Sequence, residues 1–380
     1  MEKKSKNSLL TKFKSFLKSS KSYVISWQVG PEWFECIRGI NRQFLLGNTH
    51  TTSNNPSIDQ NIFKLKPPDH TWKLALNAHG CATCHRLHNK LDDLEALESY
   101  FSYHIDQHGN WITPIDRVES AMKGYALLSL VEFTGQKRYS KAAEILANSL
   151  IEKHPRTSDG CLPYEPHGEV ILVDTLAMIC PFLTRYARLF DRHEALRLSI
   201  NQLKQFINKN LDPDTRLPYH GYYSNGAKRL GLHGWGRGTG WYMMGLIDTL
   251  YYMPREHPDY NYLGEAFQNS AFVLQRYQRP DGNWNWAILH KKDHPDTSTT
   301  SLVGYSLAQG MQSGVIDDSY KYTVESAILA LTRVTNRNGV LSGSLGECLG
   351  LGKYPQHYGP SPWLQGSATA LAAITINEML

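Results

Sequence analysis

Apolar and polar positions alternate along this chain with the period of helices almost throughout. From Arg117 the stretch RVESAMKGYALLSLVEF leads through the turn TGQKR into SKAAEILANSLIEKH, and in both stretches the apolar residues recur at three- and four-residue spacing. The same two-helix unit returns as VDTLAMICPFLTRYARLF with DRHEALRLSINQLKQFINKN, as TGWYMMGLIDTLYYM with YNYLGEAFQNSAFVLQRYQ, and as TSTTSLVGYSLAQGM with SYKYTVESAILALTRVT. A helix around Trp72 with a partner from Leu91 precedes the series, and GSATALAAITINEML follows it. First helices therefore start near residues 72, 116, 174, 239, 298 and 366. A repeat of this length is the mark of one supersecondary unit used many times.

The first helix of each pair is rich in Gly, Ala, Ser and Thr, which lets helices crowd around an axis, while the second carries more charge and suits an outer layer. No linker of Pro, Gly or Ser divides the series. The pattern predicts an all-α fold, a single (α/α)6 barrel of six hairpins over residues 66–380, with residues 1–65 as a basic N-terminal extension. An open α-solenoid satisfies the same repeat.

The connections are uneven. PRTSDGCLPYEPHGEVIL, before Val173, and DPDTRLPYHGYYSNGAKRLGLHGWGRG, before Thr239, far exceed the usual helix–helix link of about 2–8 residues. Both precede an expected inner helix, as do NWITPID and DGNWNWAILHKKDHPD. If the inner helices run parallel, these loops meet at one mouth, and a ligand site is expected there.

That mouth carries two carboxylates, Asp116 and Asp174, each at the first turn of an inner helix on consecutive hairpins. Asp116-Arg-Val-Glu119 also matches a capping box, in which Asp116 caps the helix and Glu119 reciprocates. Asp174 lies between Val170-Ile171-Leu172-Val173 and Leu176, a setting that penalises a carboxylate without a partner or a task. Two such groups close together fit acid–base work on sugars, since mutual repulsion and partial burial keep a proton on one of them.

Composition narrows the field. The chain of 380 residues has 21 Tyr, 9 Trp and 16 His, flat and hydrogen-bonding surfaces that suit a ring-shaped ligand such as carbohydrate. The net charge of +5 is concentrated at Lys3, Lys4, Lys6, Lys12, Lys14, Lys18 and Lys21, so the body is near neutral and lacks the basic face of a nucleic-acid binder. The lysines flank Leu9, Leu10, Phe13, Phe16 and Leu17, an amphipathic helix suited to docking on the domain or to contact with a membrane surface. No signal-peptide core or membrane span follows, and a cytoplasmic protein with six free thiols is expected. One stretch points elsewhere: Cys81-Ala82-Thr83-Cys84-His85 spells a haem-attachment motif, and with His88 it holds zinc-ligand residue types. Its helical spacing favours a plain helix with small buried thiols, so no metal and no cofactor are expected.

Three blocks, VDTLAMICPFL, LPYHGYY and GWGRGTGWYMMGLIDTL, resemble in order and spacing the unsaturated glucuronyl and rhamnogalacturonyl hydrolases of glycoside hydrolase families 88 and 105, over roughly residues 70–380. The resemblance implies an (α/α)6 barrel and a cofactor-free glycosidase. Its substrate would be an oligosaccharide ending in a 4,5-unsaturated uronic acid, the product of a polysaccharide lyase. It also implies Asp174 as general acid/base, Asp116 as its assisting aspartate, and His220, Trp235, Arg237 and Trp241 as lining of the sugar subsite. In that scheme Asp174 protonates C4 of the enol ether and then activates a water that adds at C5. The chain departs from the family at Leu172, where many relatives carry an aromatic, and at Asp296, where a Glu is usual. An ordinary two-carboxylate glycosidase and a non-catalytic polysaccharide-binding barrel are the alternatives.

Overall fold

The computed structural model describes residues 27–47 and 72–376. Among them are twelve α-helices: α1 (Pro31–Leu46), α2 (Ala75–His88), α3 (Leu91–Ser102), α4 (Ser120–Thr134), α5 (Lys137–Asn148), α6 (Asp174–Phe190), α7 (His193–Asn210), α8 (Gly236–Tyr252), α9 (Tyr260–Tyr277), α10 (Thr297–Gln312), α11 (Lys321–Arg333) and α12 (Pro362–Thr375). The even-numbered helices pack side by side in chain order, and α12 closes against α2, giving the inner ring of an (α/α)6 barrel.

Composition decides which helix goes inside. Every residue of α12 is buried, and so are Thr297–Gly310 of α10, because these helices have no charged face to show to water. The outer helices are amphipathic. In α5 only Tyr139, Ala142, Ala143, Leu146 and Ala147 are buried, at the spacing of a single face.

The last inner helix takes its outer partner from the start of the described chain. Residues 31–46 fall within the stretch expected to be an extension, yet α1 packs on α12, α2 and α3 and adds Trp33, Phe34, Ile37 and Phe44 to the core. Polar contacts fix it there: Arg38 Nη1 donates to Asp92 and Asp93 at 2.6 Å each, and Gln365 Nε2 donates to the Ile37 carbonyl at 2.9 Å. The barrel thus begins before residue 66. The amphipathic lysine-rich stretch around residues 9–17 lies outside the described residues.

The haem-like motif is part of α2. Cys81 and Cys84 are fully buried in the core, while His85 and His88 turn to the backbone carbonyls of Lys90 and Ala373, at 3.0 and 2.7 Å. The four side chains do not converge.

Loop length separates the two ends of the barrel. Inner helices pass to outer ones through short links, such as 89–90, 135–136 and 191–192. The return connections 103–119, 149–173, 211–235, 278–296 and 334–361 are long, and all deliver the chain to the N-terminus of an inner helix. Two small antiparallel sheets stiffen this end: β1 (Val170–Leu172), β2 (Gly221–Tyr223) and β3 (Lys228–Leu230) form one, and β4 (Ser344–Leu345) with β5 (Tyr358–Gly359) form the other.

Candidate active site

The mouth holds a narrow cavity of about 80 Å³ lined by Trp72, Leu172, Asp174, His220, Trp235 and Arg237, among others. It shares Tyr164, Leu172, Cys348 and Gly350 with a wider outer groove of about 490 Å³, whose further walls include Arg117, Glu165, Leu349 and Leu351.

Strand pairing brings Asp174 and His220 together across 45 residues of sequence. In the β1–β2 register Leu172 lies opposite Gly221, and the Val173 N–H donates to the His220 carbonyl at 2.8 Å. Asp174, the first residue of α6, is thereby set beside the imidazole, with His220 Nε2 3.5 Å from Asp174 Oδ2. That distance and alignment fall short of a hydrogen bond, so Oδ2 is shielded from solvent yet unpartnered among the described residues. The side chain keeps 15% of its surface exposed.

The glycines of Gly234-Trp-Gly-Arg-Gly-Thr-Gly240 serve packing. At Gly238 a Cβ would come within 2.5 Å of the Trp235 ring, so only glycine lets that ring fold back over the first turn of α8. Trp235 then packs against His220, the rings tilted by 47° with centroids 4.5 Å apart, and against the Arg237 guanidinium at 5.3 Å. Arg237 is 1% exposed and lies between the Trp235 and Trp363 rings. It donates to the carbonyls of Leu345 and Gly346 at 2.8 Å each and to Ser298 Oγ at 3.3 Å, and it has no acidic partner among the described residues.

Asp296, the departure from the family pattern, has a structural task. It caps α10 by accepting from the Ser298 N–H, and it also accepts from the Leu345 N–H at 2.9 Å, which ties the loop bearing Glu347 and Cys348 to the inner ring.

Two expected site residues lie elsewhere. Asp116 is exposed and lines neither the cavity nor the groove. Nor does it cap α4: the chain makes a tight turn over 117–119, and the helix begins at Ser120 with no side-chain cap. Glu119 takes the inward position instead, accepting from the Tyr164 hydroxyl at 3.0 Å, and Tyr164 lines the cavity. Trp241 is fully buried one turn into α8, edge-on to Trp72 with centroids 5.4 Å apart. It is the floor beneath the ring that faces the cavity.

The sequence reading did not single out Trp72, Tyr164, Glu347, Cys348 or Tyr354 as site residues. The glycine-rich run GSLGECLGLGKYP carries three of them, and its length and glycine content are the signals that mark it as a loop built to fold over a site. The thiol of Cys348 is pushed up to about 11, first by burial, and therefore stays protonated near neutral pH.

Known proteins share this architecture. The chain superposes on a possible GH105 family member from Klebsiella pneumoniae subsp. pneumoniae MGH 78578 with a TM-score of 0.81 at 18% identity, covering 92% of this chain and 94% of that one. A structure described as an unsaturated glucuronyl hydrolase specific for heparin matches at TM-score 0.67 and 16% identity, over 92% and 99% of the two chains. By sequence, the unsaturated rhamnogalacturonyl hydrolase YesR of Bacillus subtilis (strain 168) is 25% identical over 227 residues, which span 58% of this chain and 64% of that relative. The Glycosyl Hydrolase Family 88 model matches residues 47–375, and the chain belongs to that family.

Proposed function

We propose that this protein is a glycosidase that removes a 4,5-unsaturated uronic acid from the non-reducing end of lyase-generated oligosaccharides, by acid-catalysed hydration of the enol ether double bond. One observation carries the reading. A carboxyl group with a free edge, Asp174, and a buried guanidinium with no carboxylate in direct contact among the described residues, Arg237, line the same narrow cavity. A carboxylic acid is what an electron-rich C4 needs as proton donor, and a buried guanidinium not directly paired with a carboxylate favours an anionic sugar.

Asp174 delivers a proton to C4 and, as carboxylate, draws a proton from the water that adds at C5. The hemiketal so formed opens and expels the leaving sugar. His220 supports the carboxyl group from behind. Arg237 acts as a fixed positive field, because its donors already hold the 345–346 carbonyls and anchor the cavity wall. Trp72 and Trp235 present the aromatic faces of the subsite, whereas Trp241 acts only through Trp72. Leu172 leaves an aliphatic surface where many relatives place an aromatic ring. The outer groove receives the leaving sugar. Asp116, exposed and outside the cavity, has no part in this scheme; Glu119, through Tyr164, is the second carboxylate that bears on the site.

The test is a panel of unsaturated uronyl disaccharides. Hydration destroys the conjugated chromophore, so at least one member should lose its ultraviolet absorption with the wild-type protein and keep it with Asp174→Asn. Release of sugar with the absorption intact would instead identify ordinary glycosidic cleavage.

A further inference from the structure

The imidazole of His220 has its second nitrogen committed. Nδ1 lies 2.8 Å from the Tyr354 hydroxyl, and the orientation of that contact can be read from what else the hydroxyl does. The Leu232 N–H donates to the same oxygen at 3.1 Å. A part-buried phenol oxygen that already accepts from a backbone N–H still has its own O–H to place, and that O–H needs an acceptor. The acceptor within reach of that O–H among the described residues is His220 Nδ1. Burial pushes the Tyr354 hydroxyl up to about 12, so the proton is present throughout the neutral range.

The consequence passes through the ring. An imidazole that accepts at Nδ1 is neutral and carries its proton on Nε2, the nitrogen facing Asp174 Oδ2. At 3.5 Å the positive edge of that N–H, though short of a hydrogen bond, favours a lone pair on Oδ2, so the carboxyl proton belongs on Oδ1, the oxygen away from the histidine. The opposite tautomer would present a lone pair at Nε2 and draw the acid's proton back toward Oδ2. We propose that Tyr354 is a positioning residue which, by fixing His220 as the Nε2–H tautomer, directs the proton of Asp174 to the oxygen that faces the cavity. Its role as catalyst support rests on Asp174 being the acid proposed above; the tautomer itself does not.

The surroundings hold this relay in one geometry. Gly231, at φ +75°, sits behind His220, where a Cβ would come within 2.6 Å of the His220 Cβ, so the loop presses directly on the histidine. Trp235 covers one side of the imidazole, and the Tyr354 ring packs on Trp235 and Trp286, with centroids 5.4 and 5.8 Å apart. Those ring contacts survive in Tyr354→Phe, which removes only the hydroxyl.

The experiment records nitrogen shifts of the histidines in the full chain labelled with 15N-histidine at neutral pH, with His220 assigned by its loss in His220→Gln. The wild type should show a neutral imidazole protonated at Nε2, and Tyr354→Phe should show a mixture of tautomers. In parallel, Tyr354→Phe should lower kcat on an unsaturated uronyl disaccharide by about tenfold with KM changed less than twofold, the pattern of a group that acts only in the chemical step. A wild-type His220 protonated at Nδ1 or at both nitrogens overturns the proposal, as does a Tyr354→Phe protein with an unchanged tautomer and unchanged kcat. Should Tyr354→Phe fail to fold, the wild-type spectrum alone decides. A protein that consumes no unsaturated uronide yet shows the Nε2–H form refutes the proposed function and leaves the tautomer assignment standing.

Discussion

Asp174 and Asp248 sit on neighbouring inner helices, α6 and α8, and the same side chain is put to opposite uses. Asp248 is 1% exposed in the barrel interior, where it accepts from the Tyr305 hydroxyl at 2.9 Å among Tyr125, Arg86 and Arg185. Burial, the largest influence, raises it to about 7, although the hydroxyls and arginines pull the other way. His79, stacked on Tyr125 and edge-on to Tyr305, is pushed down to about 3 by the same burial. Perturbed proton affinities such as these are common among catalytic groups. What this interior cluster lacks is a cavity: Asp248 lines none of the described pockets, and Asp174 lines one beside a fixed cation. A perturbed acid marks an active site only where a substrate can reach it.

Substitutions break or sharpen that contrast. The largest effect belongs to Asp174→Asn, which should lower kcat by about 10³-fold while leaving the melting temperature nearly unchanged, since general acid–base catalysis contributes on the order of 10²–10⁴. Arg237→Lys keeps the charge but loses the fork that holds two carbonyls, and should raise KM for uronides by about tenfold with a measurable loss of stability in thermal melts.

Asp248→Asn should alter stability and hardly touch turnover. The sign follows from linkage. Asp248 binds its proton more tightly in the fold than in the unfolded chain, so its contribution to stability is fully present below the ordinary carboxylate range, near pH 4. That contribution is lost as pH rises through about 7. The wild type therefore carries a penalty on the order of 4 kcal/mol above pH 8 relative to pH 4 from this group. Asp248→Asn should remove that part of the slope in denaturant titrations at pH 5 and pH 8.5. Smallest of all, Asp116→Asn should change kcat/KM less than twofold, because the side chain faces solvent outside the cavity.

The contrast also shows how far the chain could be read before it was folded. Helix period, the small residues of inner helices and the uneven connections revealed the ring and its functional end. The placement of Asp174, Trp235 and Arg237 at the mouth was legible because they lie in or beside the first turn of an inner helix, whereas His220 lies within the 211–235 connection and reaches the same cavity through the β1–β2 pairing. Trp241 defeated the same logic, since one further turn of α8 points a side chain into the core. Asp116 was misplaced because a tight turn shifted the helix start to Ser120 and brought Glu119 inward. Tyr354 and Cys348 come from a loop whose fold over the mouth is set by distant partners such as Asp296, which no local pattern reports. The partner of α12 was hidden for the same reason: α1 is separated from it by nearly the whole chain, and only closure of the ring brings them together.

Proton delivery to a ring carbon is the central claim, and solvent isotope reports it directly. When an unsaturated uronyl disaccharide is turned over in D2O and the product is examined by proton NMR, deuterium should appear at C4 of the released uronate, on one face only, and Asp174→Asn should yield no such product. Release of a uronic acid that retains its double bond, with no deuterium at C4, would contradict the account.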